Sequence, residues 1–231
     1  MDCGRIITMI HAMKTSMKIA IYLGFLTLLG CGTEQANEVT NTQEAINKQS
    51  TLTILALGDS LTEGLGVAKD KNYPALLEQK LHQKGHKNIK VVNSGLSGET
   101  SSGLKARIDW VLQTQPDITI LTIGANDAMR GLPTELMEQN IAEIIEKLQA
   151  NGSNVILGGM QIYDNLGKKY VTDFNAIYTR LAAKYDLPLI PFLLAGVAGD
   201  ANLNQADGIH PTEEGHKILA ENVWKILEGE L

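Results

Sequence analysis

The sequence predicts an α/β domain in which helices cover both faces of a parallel sheet of about five strands. Between residues 51 and 231, short runs rich in Val, Ile and Leu alternate with segments whose apolar residues recur at helical spacing. Continuous apolar runs are typical of parallel strands that are buried on both faces. Repeated strand–helix units with short connections form a three-layer α/β/α architecture.

The predicted elements follow one another without an internal repeat. Apolar runs predict strands, and apolar residues three or four positions apart predict helices, as at Tyr73, Leu77 and Leu81. In chain order, the sequence predicts strands at 52–57, 89–92, 118–123, 155–157 and 187–190, and helices around 73–81, 104–112, 141–148, 170–181 and 218–226. A single domain at 51–231 accommodates all of them.

Residues 1–30 have the pattern of a signal peptide. Lys14 and Lys18 precede an eleven-residue apolar run at 19–29, which is too short to span a bilayer comfortably as a permanent helix. The four residues that end at Cys31 (LLGC) resemble a bacterial lipobox, which predicts cleavage before Cys31 and lipidation of that cysteine. An ordinary secretory signal with a chance cysteine is the alternative.

The composition after the signal peptide indicates an exported protein on a tether. Cys3 and Cys31 are the two cysteines of the sequence, so the mature chain has no intramolecular disulfide. Residues 31–50 are polar and lack periodicity, which predicts a flexible tether. The net charge of -6, without a basic tract, argues against a nucleic-acid partner. We expect a monomer of the bacterial envelope, either membrane-anchored or periplasmic.

A candidate nucleophile, Ser60, lies in the segment GDSLTEG directly after the first predicted strand. A serine hydroxyl needs a general base and donors for the developing oxyanion. Asp207 and His210, in DGIHP, supply a carboxylate and an imidazole three residues apart, in which the carboxylate can orient the base. Each motif also has a structural interpretation, as a helix N-cap at Ser60 and as a turn before the last helix.

Two further glycine-containing turns follow the second and third predicted strands. They contain Gly98 and Asn126, whose backbone N–H and side-chain amide are donors of the kind used in oxyanion holes. Because the carboxyl ends of parallel strands meet at one sheet edge, we expect both residues near Ser60. The neighbouring acids Asp59 and Asp127 are expected to bond to backbone near these turns.

The other histidines and glycine-rich segments are weaker candidates. His82 and His86 flank Gly85 at a polar helix end, which is typical of a surface role, and His216 lies within the closing helix. The segment 98–105 imitates a P-loop but has Leu104 where the lysine belongs, so we expect no phosphate site. The sequence contains no cluster that suggests a catalytic metal.

Taken in order, the four motifs resemble the SGNH, or GDSL, hydrolase family. They are GDSLTEG, LSGET, GANDAMRG and DGIHP, and the resemblance extends over roughly residues 52–228, with MQIYDNLGKKY and LPLIPF closest to the bacterial thioesterase I, arylesterase and lysophospholipase group. The resemblance implies a flavodoxin-like SGNH fold, a Ser60–His210–Asp207 triad, and an oxyanion hole formed by Ser60, Gly98 and Asn126. It implies no cofactor and no metal.

The same resemblance implies a serine esterase that acts on acyl esters and thioesters with apolar chains. The loop after the fourth strand, with Met160, Ile162 and Tyr163, is expected to line the acyl pocket. A carbohydrate O-acetylesterase of the cell envelope and a non-catalytic lipid-binding lipoprotein are the alternatives.

Overall fold

The computed structural model describes residues 51–231, apart from the side chain of Asp164. The predicted signal peptide at 1–30, the lipidation site Cys31 and the tether at 31–50 lie outside the described residues.

Parallel pairing joins five strands of this region into one sheet, in the order β2-β1-β3-β4-β5. The strands are β1 (Leu52–Gly58), β2 (Ile89–Gly95), β3 (Ile118–Thr122), β4 (Asn154–Gly158) and β5 (Leu189–Ile190). Gly58, the last residue of β1, pairs with Gly95 of β2 and with Thr122 of β3. The carboxyl ends of these three strands are therefore level at one edge of the sheet.

Helices cover both faces of the sheet. They are α1 (Ser60–Glu63), α2 (Tyr73–Gln83), α3 (Ser101–Val111), α4 (Ala125–Met129), α5 (Thr134–Ala150), α6 (Lys168–Tyr185) and α7 (Glu213–Leu227), with 3-10 turns at Leu112–Thr114 and Asp164–Leu166. Helix α2 packs against α7, whereas α5 packs against both α3 and α6. The predicted three-layer fold with about five parallel strands is confirmed. In the described part of the chain, no helix has the length and apolarity needed to cross a membrane.

The predicted apolar stripes form the core between these layers. The interior of β1 from Ile54 to Leu57 is fully buried, as are Leu77 on α2 and Phe174 on α6. Removal of these side chains from water is the main favourable contribution to folding. These apolar residues therefore account for the packing of the helices on the sheet, and we assign them no catalytic role.

Several element boundaries differ from the prediction: α5 begins at Thr134 and α7 at Glu213, both earlier than predicted, and β5 contains only Leu189 and Ile190. In two further elements, polar residues account for the extension. Helix α3 begins at Ser101, since the Thr100 hydroxyl accepts a hydrogen bond from the Gly103 N–H at 3.3 Å and caps the helix. Strand β2 continues through Asn93 and Ser94 to its end, because its backbone pairs with β1 along the whole length. Apolar periodicity alone detects neither extension.

The sheet order places a topological switch point at the end of β1. The chain leaves β1 for β2 on one side of it, and β3 lies on the other side. Ligand sites of open α/β sheets form in the crevice at such a point. The turns after β1, β2 and β3 meet there.

Candidate active site

Ser60 is held at the start of α1 by local capping. The Asp59 carboxylate accepts a hydrogen bond from the Leu61 N–H at 3.0 Å, which caps this short helix. At the other end, Gly64 adopts a φ of 84°, and its N–H donates to the Ser60 carbonyl at 3.0 Å. The Ser60 side chain is mostly buried, so its hydroxyl has a defined position at the sheet edge.

A continuous chain of hydrogen bonds joins Ser60, His210 and Asp207. The Ser60 Oγ lies 2.9 Å from His210 Nε2, and His210 Nδ1 lies 2.7 Å from an oxygen of Asp207. Hydrogen bonds from the backbone N–H of His210, its imidazole and the N–H of Ile209 lower the pKa of Asp207 to about 2. The ionised carboxylate accepts the Nδ1–H, which leaves the Nε2 lone pair facing the serine hydroxyl.

The loop that carries His210 is tied to the helix that carries Ser60. The Gln205 N–H donates to the His210 carbonyl at 2.7 Å. The Gln205 side-chain amide donates to the carbonyls of Leu65, just beyond α1, and Pro211, at 2.7 and 2.9 Å. This glutamine couples the position of the imidazole to that of the serine.

Asn126 and Gly98 lie on the segments that follow the two neighbouring strands, β3 and β2. Asn126 is buried in α4 after β3, and its amide donates to the second oxygen of Asp59 at 3.4 Å. Gly98 has a φ of 77° in a turn that the Glu99 N–H closes on the Leu96 carbonyl at 3.1 Å. Among the hydrogen bonds of residues 51–231, none uses the Gly98 N–H.

The two acids beside these donors bond to backbone, as expected. Burial raises the pKa of the Asp59 carboxyl to about 6, against the opposing effects of the Leu61 N–H and the nearby His210. Asp127 accepts hydrogen bonds from the Ser101 N–H at 2.8 Å and the Ser101 hydroxyl at 2.6 Å. Asp127 thereby fixes α4 to the start of α3.

The loop after β4 presents its three predicted pocket residues very differently. Tyr163 is 65% exposed and Ile162 is partly buried, whereas Met160 is only 4% exposed and belongs to the core. Met160 therefore packs in the core beneath the surface of the loop. Ile162 and Tyr163 are the two of the three that keep part of their surface exposed.

His216 is a feature that sequence reasoning missed. Its ring is buried in the first turn of α7, where Nδ1 accepts a hydrogen bond from the Tyr73 N–H at 3.2 Å. Nε2 has no hydrogen-bond partner among the described residues, and burial lowers the pKa of His216 to about 4. His82 bonds to the Ile89 carbonyl at 2.8 Å. Of these histidines, His210 is the one that contacts Ser60.

Comparisons with known proteins agree with this geometry. A model of the GDSL-like lipase/acylhydrolase family matches residues 56–218. The chain belongs to this family. The predicted resemblance is therefore confirmed, and membership makes the protein a carboxylic ester hydrolase.

Individual relatives match most of the domain. Esterase TesA of Pseudomonas aeruginosa is 37% identical over 177 residues, which cover 76% of this chain and 88% of TesA. The Escherichia coli K12 protein named thioesterase 1/protease 1/lysophospholipase L1 is 34% identical over 177 residues. These residues cover 76% of this chain and 83% of the Escherichia coli protein. A crystal structure of TesA matches with a TM-score of 0.74 at 37% identity, covering 78% of this chain and 99% of that structure.

Proposed function

We propose that this protein hydrolyses acyl esters and thioesters with apolar acyl chains through a Ser60–His210–Asp207 triad. The observation that carries the proposal is the hydrogen-bonded chain of 2.9 and 2.7 Å from the serine hydroxyl to the carboxylate. Such a chain makes a weak nucleophile reactive, because the imidazole accepts the proton as the oxygen attacks.

The proposed reaction has two steps. In the first, His210 takes the proton of Ser60 as Oγ attacks the acyl carbonyl, and then gives that proton to the leaving alcohol or thiol, which departs from an acyl-enzyme. In the second, His210 takes a proton from water, the hydroxide attacks the acyl carbonyl, and Ser60 leaves with that proton as the free acid forms. The ionised Asp207 stabilises the imidazolium in both steps.

The backbone N–H groups of Ser60 and Gly98 and the amide of Asn126 are the proposed donors to the tetrahedral oxyanion. All three belong to segments that follow neighbouring strands of the sheet, β1, β2 and β3. Donors preorganised where charge develops lower the barrier most, and removal of one costs roughly 10²- to 10³-fold in kcat.

Exposed apolar side chains in the segments that carry the proposed site residues support the choice of apolar acyl groups. Leu65, Leu96, Met129 and Ile209 are exposed and lie within a few positions of a proposed site residue, and Tyr163 and Leu166 are exposed on the segment after β4. Exposed apolar side chains at a proposed site favour an apolar ligand. The names of the two relatives, esterase and thioesterase 1/protease 1/lysophospholipase L1, include ester and thioester hydrolysis.

We also propose that the protein is exported, acts as a monomer, and is anchored to a membrane through a lipid on Cys31. The support is the lipobox-like segment that ends at this cysteine and the polar stretch at 31–50. Metabolic labelling with a palmitate analogue checks the anchor: wild type takes up label, and Cys31→Ala does not.

The proposed activity is tested with p-nitrophenyl esters of graded acyl length. We expect the wild-type protein to prefer medium or long chains, and Ser60→Ala and His210→Ala to lose at least about 10³-fold in kcat. Ser102→Ala, on an exposed serine at the start of α3, is the matched control and keeps its activity.

Each other outcome points to a different function. Cleavage of acetyl esters alone, including acetylated sugars, indicates a carbohydrate O-acetylesterase. A folded wild type that cleaves no ester and is not labelled at Ser60 by a fluorophosphonate refutes the catalytic proposal and indicates a binding protein.

A further inference from the structure

The turn that contains Gly98 is held from two sides by charged groups. A carboxylate oxygen of Glu63 accepts hydrogen bonds from the Ser97 N–H, at 2.7 Å, and from the Ser97 hydroxyl. The Arg130 guanidinium donates to the Gly98 carbonyl at 2.7 Å. The peptide that contains the Gly98 N–H thus lies between two anchored peptides.

The two anchors come from the segments that carry the other proposed donors. Glu63 is the last residue of α1, which begins with Ser60. Arg130 is the C-cap of α4, which contains Asn126. Both charged side chains consequently tie the Gly98 turn to its neighbours on either side.

We propose that Glu63 and Arg130 are positioning residues that align the Gly98 N–H for oxyanion binding. This inference rests on the proposed esterase function. Neither side chain has to touch the substrate, because each acts through the turn that it holds.

Turn geometry explains why alignment needs such anchors. Leu96 and Glu99 are the ends of the turn, so the Gly98 N–H belongs to its central peptide, and the φ of 77° is the value that a type II turn requires at this position. In the related type I turn the central peptide is flipped, which would point this N–H the opposite way. An oxyanion donor is effective only within about 2.7–3.1 Å of the developing charge.

The two anchors also occupy the backbone groups on either side of the Gly98 N–H. The Ser97 N–H is occupied by Glu63 and the Gly98 carbonyl by Arg130, while the Gly98 N–H between them makes no hydrogen bond within residues 51–231. Hydrogen bonds to charged groups are roughly twice as strong as neutral ones. Loss of either anchor therefore allows the central peptide of the turn to rotate, and the packing of the core is unaffected.

The expected effects on kcat and on the free energy of unfolding distinguish a positioning role from a structural one. Glu63 and Arg130 are both exposed, and exposed charged contacts typically contribute little to the free energy of unfolding. A donor that is misaligned but still present should cost less than a deleted one, so we expect kcat to fall about tenfold. KM should stay within about twofold, because the oxyanion forms only in the transition state.

The experiment compares variants of the full chain on the p-nitrophenyl ester that wild type cleaves fastest. Glu63→Ala and Arg130→Gln should each lower kcat about tenfold with unchanged KM and melting temperature. Glu63→Gln should be intermediate, because its amide oxygen still accepts from the Ser97 N–H. The matched controls are Glu138→Gln and Arg180→Gln. They weaken another ion pair, 2.6 Å long, between the partly buried Glu138 on α5 and the exposed Arg180 on α6, and should keep wild-type kcat.

Two results overturn the inference while the proposed function stands. One is kcat within twofold of wild type in both Glu63→Ala and Arg130→Gln. The other is a parallel loss of kcat and melting temperature without recovery in Glu63→Gln, which would mark a purely structural role. Failure of the proposed function is recognised separately, because then wild type and Ser60→Ala have the same rate.

Discussion

Replacement of Asp59 by asparagine tests the electrostatics of the site most directly. Asp59 is 2% exposed, caps α1 through the Leu61 N–H and faces the Asn126 amide. Burial raises its pKa from 3.8 to about 6. Asparagine has nearly the same shape and is an equally good N-cap, but it does not ionise.

The direction and size of the effect follow from the two pKa values of Asp59. Between pH 4 and pH 6 the folded chain holds a proton that the unfolded chain has released, so the free energy of unfolding falls as pH rises through this window. The stabilising contribution is complete below the unfolded value of 3.8 and is lost as pH rises past about 6. The difference between the pKa values of 3.8 and about 6 corresponds to about 3 kcal/mol of free energy of unfolding.

Urea denaturation of wild type and Asp59→Asn at several pH values provides the measurement. We expect the variant to gain about 2.5 kcal/mol relative to wild type between pH 4 and pH 7.5. Asp70→Asn, at an aspartate whose side chain is 69% exposed, is the control and should show a nearly constant difference. A difference between Asp59→Asn and wild type that varies by less than about 1 kcal/mol over this range refutes the burial argument.

Three further changes test other parts of the structure. Burial lowers the pKa of His216 from 6.5 to about 4, so the free energy of unfolding should rise with pH across that window, and His216→Asn should remove this rise in urea denaturation. Asp207→Asn should lower kcat by about 10³- to 10⁴-fold with little change in KM in steady-state kinetics, because the amide no longer fixes the imidazole tautomer. Gly95→Ala would place a Cβ 2.1 Å from the Glu63 nitrogen and should destabilise the fold by about 1–3 kcal/mol in thermal unfolding. Gly229→Ala, whose Cβ would lie 3.6 Å from its nearest neighbour, should not.

The proximity of the candidate site residues could be predicted from sequence because it follows from the topology of the sheet. Ser60, Gly98 and Asn126 each follow an apolar run that ends at the same sheet edge, so the pattern of runs already implies their proximity. His210 is distant from Ser60 in the sequence, but Asp207, three residues before it, distinguishes it from the other histidines. The structure brings His210 and Ser60 within 2.9 Å.

Contacts that depend on side-chain direction could not be predicted in the same way. Glu63 and Arg130 both lie inside the quoted motifs, but a glutamate at a helix end and an arginine in a loop are ordinary surface residues by type. Met160 and Tyr163 are three positions apart in one loop, and the sequence does not tell that one is buried and the other exposed. His216 lies on the buried side of α7, where a histidine is uncommon.

Two local features that oppose stability lie where the chemistry is proposed. Asp59 is a buried acid whose ionisation is unfavourable, and it adjoins the nucleophile and contacts the Asn126 amide. Gly98 has a backbone conformation that few other residues tolerate, and two exposed charges hold its turn. Proteins keep locally unfavourable features mainly where function requires them.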